Sequence, residues 1–286
     1  MKSKILGKHL NGYKHLSINH DILEYYDTEY VYFPIKIDQV EYKKLVEIGD
    51  KVLLGQPILE RLGRFVYPVC SSVSGVVTNI KKMWHSSGKM VEMLEIQNDH
   101  QDNLYYEVKS NLDLSKEEQL ELIKKAGIVG LGGAGFPTFV KYSTTSLAEC
   151  IIVNAAECEP YITCDYMSII EDAKKLIRGL SYVMNINGAS KGVLAIKNTK
   201  KPAIDALNNA INELNIPNIS IFELKDCYPA GWEKYIVEHV MKKTYNNLPK
   251  EDCELIATQL KDNHSIIGIH VDGNEMEINE LGFIIP

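Results

Sequence analysis

Gly127-Ile-Val-Gly-Leu-Gly-Gly-Ala-Gly-Phe-Pro-Thr-Phe-Val-Lys141 places glycines at 127, 130, 132, 133 and 135. Glycine adopts positive φ without a steric penalty and lets another molecule come close to the main chain, at an entropic cost on folding. So dense a run predicts a ligand loop whose bare N–H groups face an anion such as a phosphate. The alternative is a tight structural turn. Gly130-x-Gly132-x-x-Gly135 has the spacing of the dinucleotide fingerprint, which requires a strand before it and a helix after it. What precedes it is Ser115-Lys-Glu-Glu-Gln-Leu-Glu-Leu-Ile-Lys-Lys-Ala126, with a capping box at Ser115 and Glu118 and a helical stripe through Leu120 and Ile123. The glycines therefore follow a helix, and the ordinary form of that fingerprint is set aside.

A second stretch follows, Cys150-Ile-Ile-Val-Asn-Ala-Ala-Glu-Cys-Glu-Pro160. Its short apolar, β-branched half predicts a buried parallel strand. The strand ends in Asn154, Glu157 and Glu159, and open α/β sheets gather ligand-binding groups at the carboxyl ends of their strands. Phosphate needs donors, whereas ring N–H groups and ribose hydroxyls need acceptors, and these two stretches offer both. In the plainer reading, Asn154 caps the next segment and the glutamates are solvated.

Further on, strands and helices alternate. Residues 166–185 predict a helix with Met167, Ile170, Ala173, Leu176 and Ile177 on one face. Gly192-Val-Leu-Ala-Ile-Lys197 predicts a strand, Pro202 opens a helix carrying Ile204, Leu207, Ile211 and Leu214, and Ile219–Leu224 predicts another strand. This alternation implies an α/β fold with a parallel sheet covered on both faces. Residues 243–262 read as partly helical, and 266–271 with 275–278 as a β-hairpin around Asp272-Gly273-Asn274.

Upstream, residues 30–98 read as short strands and turns. Val46-Glu-Ile-Gly-Asp-Lys-Val-Leu-Leu-Gly-Gln-Pro-Ile-Leu-Glu60 alternates around Gly49 and Gly55, and Phe65–Ile80 does so around Ser74-Gly75. The polar connector from His100 to Asp113 suggests a division into 1–100 and 113–286. In residues 1–30, His9, His15 and His20 lack metal-ligand spacing and read as surface or packing residues.

Composition narrows the function classes. A 286-residue chain, 45% hydrophobic, can bury two cores. A net charge of −7 with no basic patch argues against nucleic acid. No apolar run of membrane-spanning length and no signal-peptide pattern is seen, so direct membrane insertion is not expected and a cytoplasmic location is. The six cysteines contain no Cys-x-x-Cys, so neither a metal site nor an iron–sulfur cluster is expected in this chain. No catalytic side chain stands out.

Gly-Leu-Gly-Gly-Ala-Gly-Phe-Pro-Thr with its lysine, then Val-Asn-Ala-x-Glu-Cys-Glu-Pro-Tyr, resembles the RnfC family, the C subunit of the Rnf electron-transport complex and its relatives, including the proline-reductase-associated electron-transfer protein. More distantly it is similar to the flavin-bearing component of respiratory NADH dehydrogenase. Gly-Asp-Lys-Val-x-x-Gly-Gln and Ser-Val-Ser-Gly-Val-Val resemble the lipoyl-like barrel-sandwich module that begins RnfC proteins. Carrier domains of that kind display a lysine at a hairpin tip. Here the tip reads Val73-Ser74-Gly75, so a structural or docking module is expected. The resemblance implies a small all-β barrel-sandwich domain followed by a Rossmann-like FMN-binding sheet of the NADH dehydrogenase flavoprotein type.

It further implies that Gly130, Gly132, Gly133 and Gly135 donate main-chain N–H groups to the FMN phosphate and that Lys141 neutralises it. Asn154 and Glu157 would meet the flavin or ribose, and Glu159 would sit near the nicotinamide approach. In Tyr228-Pro-Ala-Gly-Trp-Glu-Lys234 the family motif is matched except that Trp232 stands where the family has glycine. Glu233 there is either a ligand or a favourable helix start. Leu131 stands where the distant relatives carry arginine, so that flavin contact is not carried over.

The implied function is electron transfer between NAD(H) and iron–sulfur carriers. FMN would be the cofactor, and the partners would be iron–sulfur or membrane-complex proteins at the cytoplasmic side of the membrane. The family's later flavin loop and its two four-cysteine motifs for 4Fe-4S clusters do not follow Gly282-Phe-Ile-Ile-Pro286, so the chain reads as truncated. The alternative is a cofactor-free docking or assembly module that keeps only the fold.

Overall fold

A computed structural model describes residues 8–22, 28–105, 114–130, 136–143 and 148–242, and the backbone of strands at 266–270, 277–278 and 284–285. Packing divides the chain into two units. The 8–22 segment groups with the 140–242 region, and the region up to Gly130 groups with 136–139.

In the all-β unit, eight strands run β1 (Tyr30–Pro34), β2 (Lys36–Ile37), β3 (Val40–Lys44), β4 (Lys51–Val52), β5 (Pro57–Arg61), β6 (Pro68–Cys70), β7 (Gly75–Trp84) and β8 (Met90–Asn98). They form two antiparallel four-stranded sheets, ordered β1-β8-β7-β4 and β2-β3-β5-β6. Val52, Ile58, Leu59, Val77, Leu94 and Ile96 bury their side chains in the core of this unit. A Cβ on Gly75 would overlap the Gln97 carbonyl oxygen, so only glycine lets β7 begin this close to β8.

Val73-Ser74-Gly75 is not an exposed tip, contrary to the sequence expectation. Ser74 is fully buried; its Oγ donates to Asp99 Oδ1 at 2.6 Å and accepts the Asn103 N–H at 3.1 Å. The Ser74 hydroxyl thereby ties the start of β7 to the segment that follows β8.

Helix α1 (Lys116–Lys125) packs with this unit and starts with the full Ser115/Glu118 capping box. Gly127 follows at φ +68, where an added Cβ would lie 2.5 Å from the Pro68 carbonyl oxygen. This first glycine of the run is demanded by local packing. Beyond it, Ile128 accepts from the Thr138 N–H at 3.1 Å and the Gly130 N–H donates to Phe136 O at 2.9 Å. The two chain segments thereby form a closed stem, after which comes the short helix α2 (Thr138–Tyr142).

In the second unit β9 (Cys150–Ala155) is buried at every position. There follow α3 (Cys164–Asn187), β10 (Lys191–Lys197), α4 (Lys201–Leu214), β11 (Ile219–Leu224), α5 (Glu233–Met241) and β12 (Ile266–His270). The sheet is parallel throughout, in the order β11-β10-β9-β12. Cys150, Ile152, Ala195 and Leu224 pack with Tyr235, Ile236 and Val237 of α5 on one face. On the other, a Cβ at Gly192 would meet Met184 and Leu180 of α3. Coverage of both faces explains why β9 is apolar without alternation.

Two expectations are corrected here. Helix α3 buries Ile169 and leaves Ile170 38% exposed; the buried stripe runs through Ile169, Ala173, Leu176, Ile177 and Leu180, with Ile170 at its margin. Ile266–His270 does not turn back as a hairpin; it runs parallel beside β9. The expected helix at 243–262 lies outside the described residues. Two short strands, β13 (Glu277–Ile278) and β14 (Ile284–Ile285), lie near the C-terminus. Among the described residues no helix is long and apolar enough to cross a membrane.

Candidate functional site

Strand order reverses at β9: β10 and β11 lie to one side of it and β12 to the other. In open parallel sheets the crevice outside the strand ends at such a reversal is where ligands bind. Asn154 stands there, only 6% exposed. Its Nδ2 donates to Gly231 O at 2.9 Å and its Oδ1 accepts the Ala156 N–H at 3.2 Å. Each end of the amide is committed to the protein, so Asn154 joins the end of β9 to the loop that follows β11.

The loop after β9 is shaped by Glu157, which takes a positive φ of 37°. Its carboxylate is buried rather than solvated. Oε1 accepts the Asp165 N–H at 2.8 Å, capping α3 where the N-cap residue Thr163 makes no side-chain bond. Oε2 has no hydrogen bond and lies 3.5 Å from Lys14 Nζ. That ammonium donates to the carbonyls of Glu157 at 2.9 Å and Glu159 at 2.8 Å, and to Ile162 O. Glu157, Cys164 and Asp165 bring potential metal-ligand atoms within 4.8 Å of one another. The Lys14 ammonium already takes a cation's place against Glu157.

Lys14 belongs to an N-terminal strap laid along this edge. Lys8 and Tyr228 exchange main-chain hydrogen bonds of 2.8 and 2.6 Å, Gly12 O accepts the Tyr161 N–H at 2.7 Å, and Tyr13 stacks on Tyr161 at 5.1 Å. On the far side, the loop before α5 presses against the β9 loop. A Cβ on Gly231 would sit 2.7 Å from Cys158 Sγ. Trp232, the N-cap residue of α5, is 45% exposed and carries Lys234 Nζ over its ring at 5.7 Å. Glu233 is exposed in the first helical turn, where a carboxylate complements the helix dipole.

Between the strap and the ends of β9, β10 and β11 lies a cavity of about 450 Å³. Lys14, Lys197 and Lys200 line it, against the one carboxylate of Asp226. Lys197 is 8% exposed and pairs with Asp226 at 3.0 Å. The Lys200 ammonium lies over the Tyr166 ring at 4.7 Å. Burial holds its pKa below the usual lysine value; Glu157 and Asp226 oppose this, and Lys14 and Lys197 reinforce it.

Of the residues expected at the site, Asn154, Glu157 and Glu159 come together at the end of β9, and Asn154 reaches the loop that leads into Glu233. Glu159 is exposed. Gly130 gives its N–H to Phe136 O at 2.9 Å. Lys141 lies half-buried in α2. Gly132, Gly133, Gly135 and Leu131 lie outside the described residues. Sequence reading missed Lys14, Lys197, Lys200 and Asp226. The one available signal was the lysine-rich turn Lys197-Asn-Thr-Lys-Lys201 at a strand's carboxyl end.

Comparison with known proteins gives two family matches. The RnfC barrel sandwich hybrid domain matches residues 4–101 and the Nuo51 FMN-binding domain matches residues 123–267. The C subunit of the Na(+)-translocating ferredoxin:NAD(+) oxidoreductase complex of Acetobacterium woodii is 36% identical over 198 residues, covering 68% of this chain and 44% of that protein. The C subunit of the ion-translocating oxidoreductase complex of Vibrio cholerae serotype O1 is 36% identical over 200 residues, 68% of this chain and 25% of that one. An NAD+-reducing [NiFe]-hydrogenase structure is similar over 55% of this chain and 29% of its own, with 23% identity and a TM-score of 0.44. The chain spans less than half the length of these relatives.

Proposed function

The chain belongs to the RnfC family, and from that premise we propose that it serves flavin-dependent electron transfer in an Rnf-type complex. The observation that carries the reading is the FMN-binding family match over residues 123–267, a span that includes the glycine-rich stretch and β9. The reversal of strand order at β9 supports the same location. When bound, FMN supplies the passage from two-electron exchange with NAD(H) to single-electron delivery toward iron–sulfur carriers on other polypeptide segments. The partners are the remaining subunits of the complex, and the chain works peripherally on the cytoplasmic face.

The residues of this chain position the cofactor. Gly132, Gly133 and Gly135 are assigned to the phosphate, with Lys141 neutralising its charge. Asn154 and Glu157 are spent on protein partners, so they act by holding the end of β9 in shape. Glu159 and Glu233 carry exposed side chains and are assigned to the side from which the nicotinamide approaches.

The test is titration of the purified chain with FMN. Quenched flavin fluorescence is expected, and Lys141→Ala should weaken FMN much more than riboflavin. Equal weakening of both removes the phosphate role from Lys141. A second reading, a docking module that has kept the fold without its cofactor, is favoured by Trp232 in place of the family glycine. The absence of FMN binding at high micromolar concentration would select it.

A further inference from the structure

Phe65, in the hairpin between β5 and β6, meets Phe136 edge to face, with ring centroids 5.5 Å apart and planes at 69°. Phe136 closes the stem, since its carbonyl accepts the Gly130 N–H. The Phe65 side of this contact is held in turn: Arg61 Nη1 donates to the Phe65 carbonyl at 2.8 Å, and the Arg64 guanidinium lies 5.1 Å from its ring centroid. Phe65 lies outside the core of the all-β unit, and the ring it meets belongs to the stem. The neighbouring strand grips the chain that leads into the stem. Gly127 approaches Pro68 O too closely for any side chain, and Cys70 Sγ lies 3.9 Å from the carbonyl oxygens of Lys125 and Ala126. On the chain that leaves the stem, the Phe139 ring lies under Lys124 Nζ of α1 at 5.7 Å. All of these residues fall in one packing unit.

We propose that the all-β unit docks the chain's own glycine-bearing stem, with Phe65 as a positioning residue that holds Gly130 and Phe136 in place for the phosphate end of FMN. The inference rests on the flavin reading above and adds to it a task for the barrel-sandwich domain. The chain between Gly130 and Phe136 is tethered at both ends by the stem. Whatever fixes the stem reduces the freedom that the glycines between those ends must lose on meeting a phosphate. Phe65 acts through Phe136 and not by touching the flavin.

The experiment has two arms, both on the full chain. Without flavin, hydrogen exchange is followed at the Gly130 and Thr138 amides, the two donors of the stem. Phe65→Ala should accelerate both roughly fivefold, as loss of one aromatic pair allows, and leave β9 and β10 unchanged. With flavin, the same variant should weaken FMN roughly fivefold and keep riboflavin, which lacks the phosphate, within about twofold of the parent. Phe65→Tyr keeps the ring contact and should restore both readouts. Three results would each overturn the proposal: unchanged exchange at Gly130 and Thr138, exchange accelerated equally throughout the chain, or FMN and riboflavin weakened alike. A parent chain that binds no FMN overturns the flavin reading and the phosphate role of Phe65 with it, while the exchange arm still decides whether the all-β unit holds the stem. Should Phe65→Ala not fold, Phe65→Leu, which keeps apolar volume and loses the ring, is read in its place with the same directions.

Discussion

Lys14 Nζ lies 3.5 Å from Glu157 Oε2, joining two residues 143 positions apart in sequence. One ammonium thus anchors the N-terminal strap and neutralises the carboxylate that caps α3. The loop after β9 owes its shape to a residue that the sequence offered only as one lysine among several.

Removing Lys14 strands a buried carboxylate and empties three carbonyl contacts. Lys14→Met should cost about 3 kcal/mol of stability in urea unfolding, and Glu157→Gln less. The double variant should recover at least about 1 kcal/mol relative to the sum of the single changes. Strict additivity of the two would show that the pair is not coupled.

Asn154→Ala leaves the Gly231 carbonyl and the Ala156 N–H unpaired and should cost about 2 kcal/mol. If Asn154 positions the loop, FMN affinity and the urea midpoint should fall together across Ala, Asp and Gln variants. Loss of FMN at an unchanged midpoint would make the amide a direct ligand instead.

Trp232 occupies the N-cap of α5 in an extended conformation and makes no side-chain cap bond. Trp232→Ser should therefore stabilise the chain by about 1 kcal/mol, read as a raised urea midpoint. A lowered midpoint would mean that the half-exposed indole contributes more by packing than a cap can.

Glu95 is a buried carboxylate in the β unit. Burial alone would raise its pKa, but Lys81, Thr78 and Tyr32 hold it below the ordinary glutamate value. With the folded pKa depressed, its contribution is complete above the unfolded value of about 4.3 and is lost as pH falls through the folded pKa. Acid unfolding of Glu95→Gln should show a shallower dependence on pH below about 4. An unchanged slope would remove Glu95 from the acid transition.

Burial pushes the Cys70 and Cys150 thiols up to about 11. Both should resist iodoacetamide at pH 8 in the folded protein and react once it is unfolded. Rapid modification of native Cys150 would contradict its place in the core.

The sequence alone determined whatever depends on local order. Periodicity marked β9, β10, β11 and α4, because a strand buried on both faces must be continuously apolar and a surface helix must carry a stripe. The capping box at Ser115 and Glu118 was legible because its two partners lie three residues apart. Only tertiary structure decided the rest. Asn154 and Glu157 were visible as polar groups at a strand end. That they are bonded to Gly231, Asp165 and Lys14, and so shape the site from behind, depends on segments brought together by the sheet. The same holds for Lys200, whose ammonium lies over the Tyr166 ring because of the space around it and not because of its neighbours in sequence. Ile170 was misplaced because the period alone does not say which of two adjacent isoleucines, Ile169 or Ile170, centres the buried stripe. Hydrogen bonds and ion pairs act over a few ångströms of space with no regard for distance along the chain, so partners far apart in sequence leave no period to read.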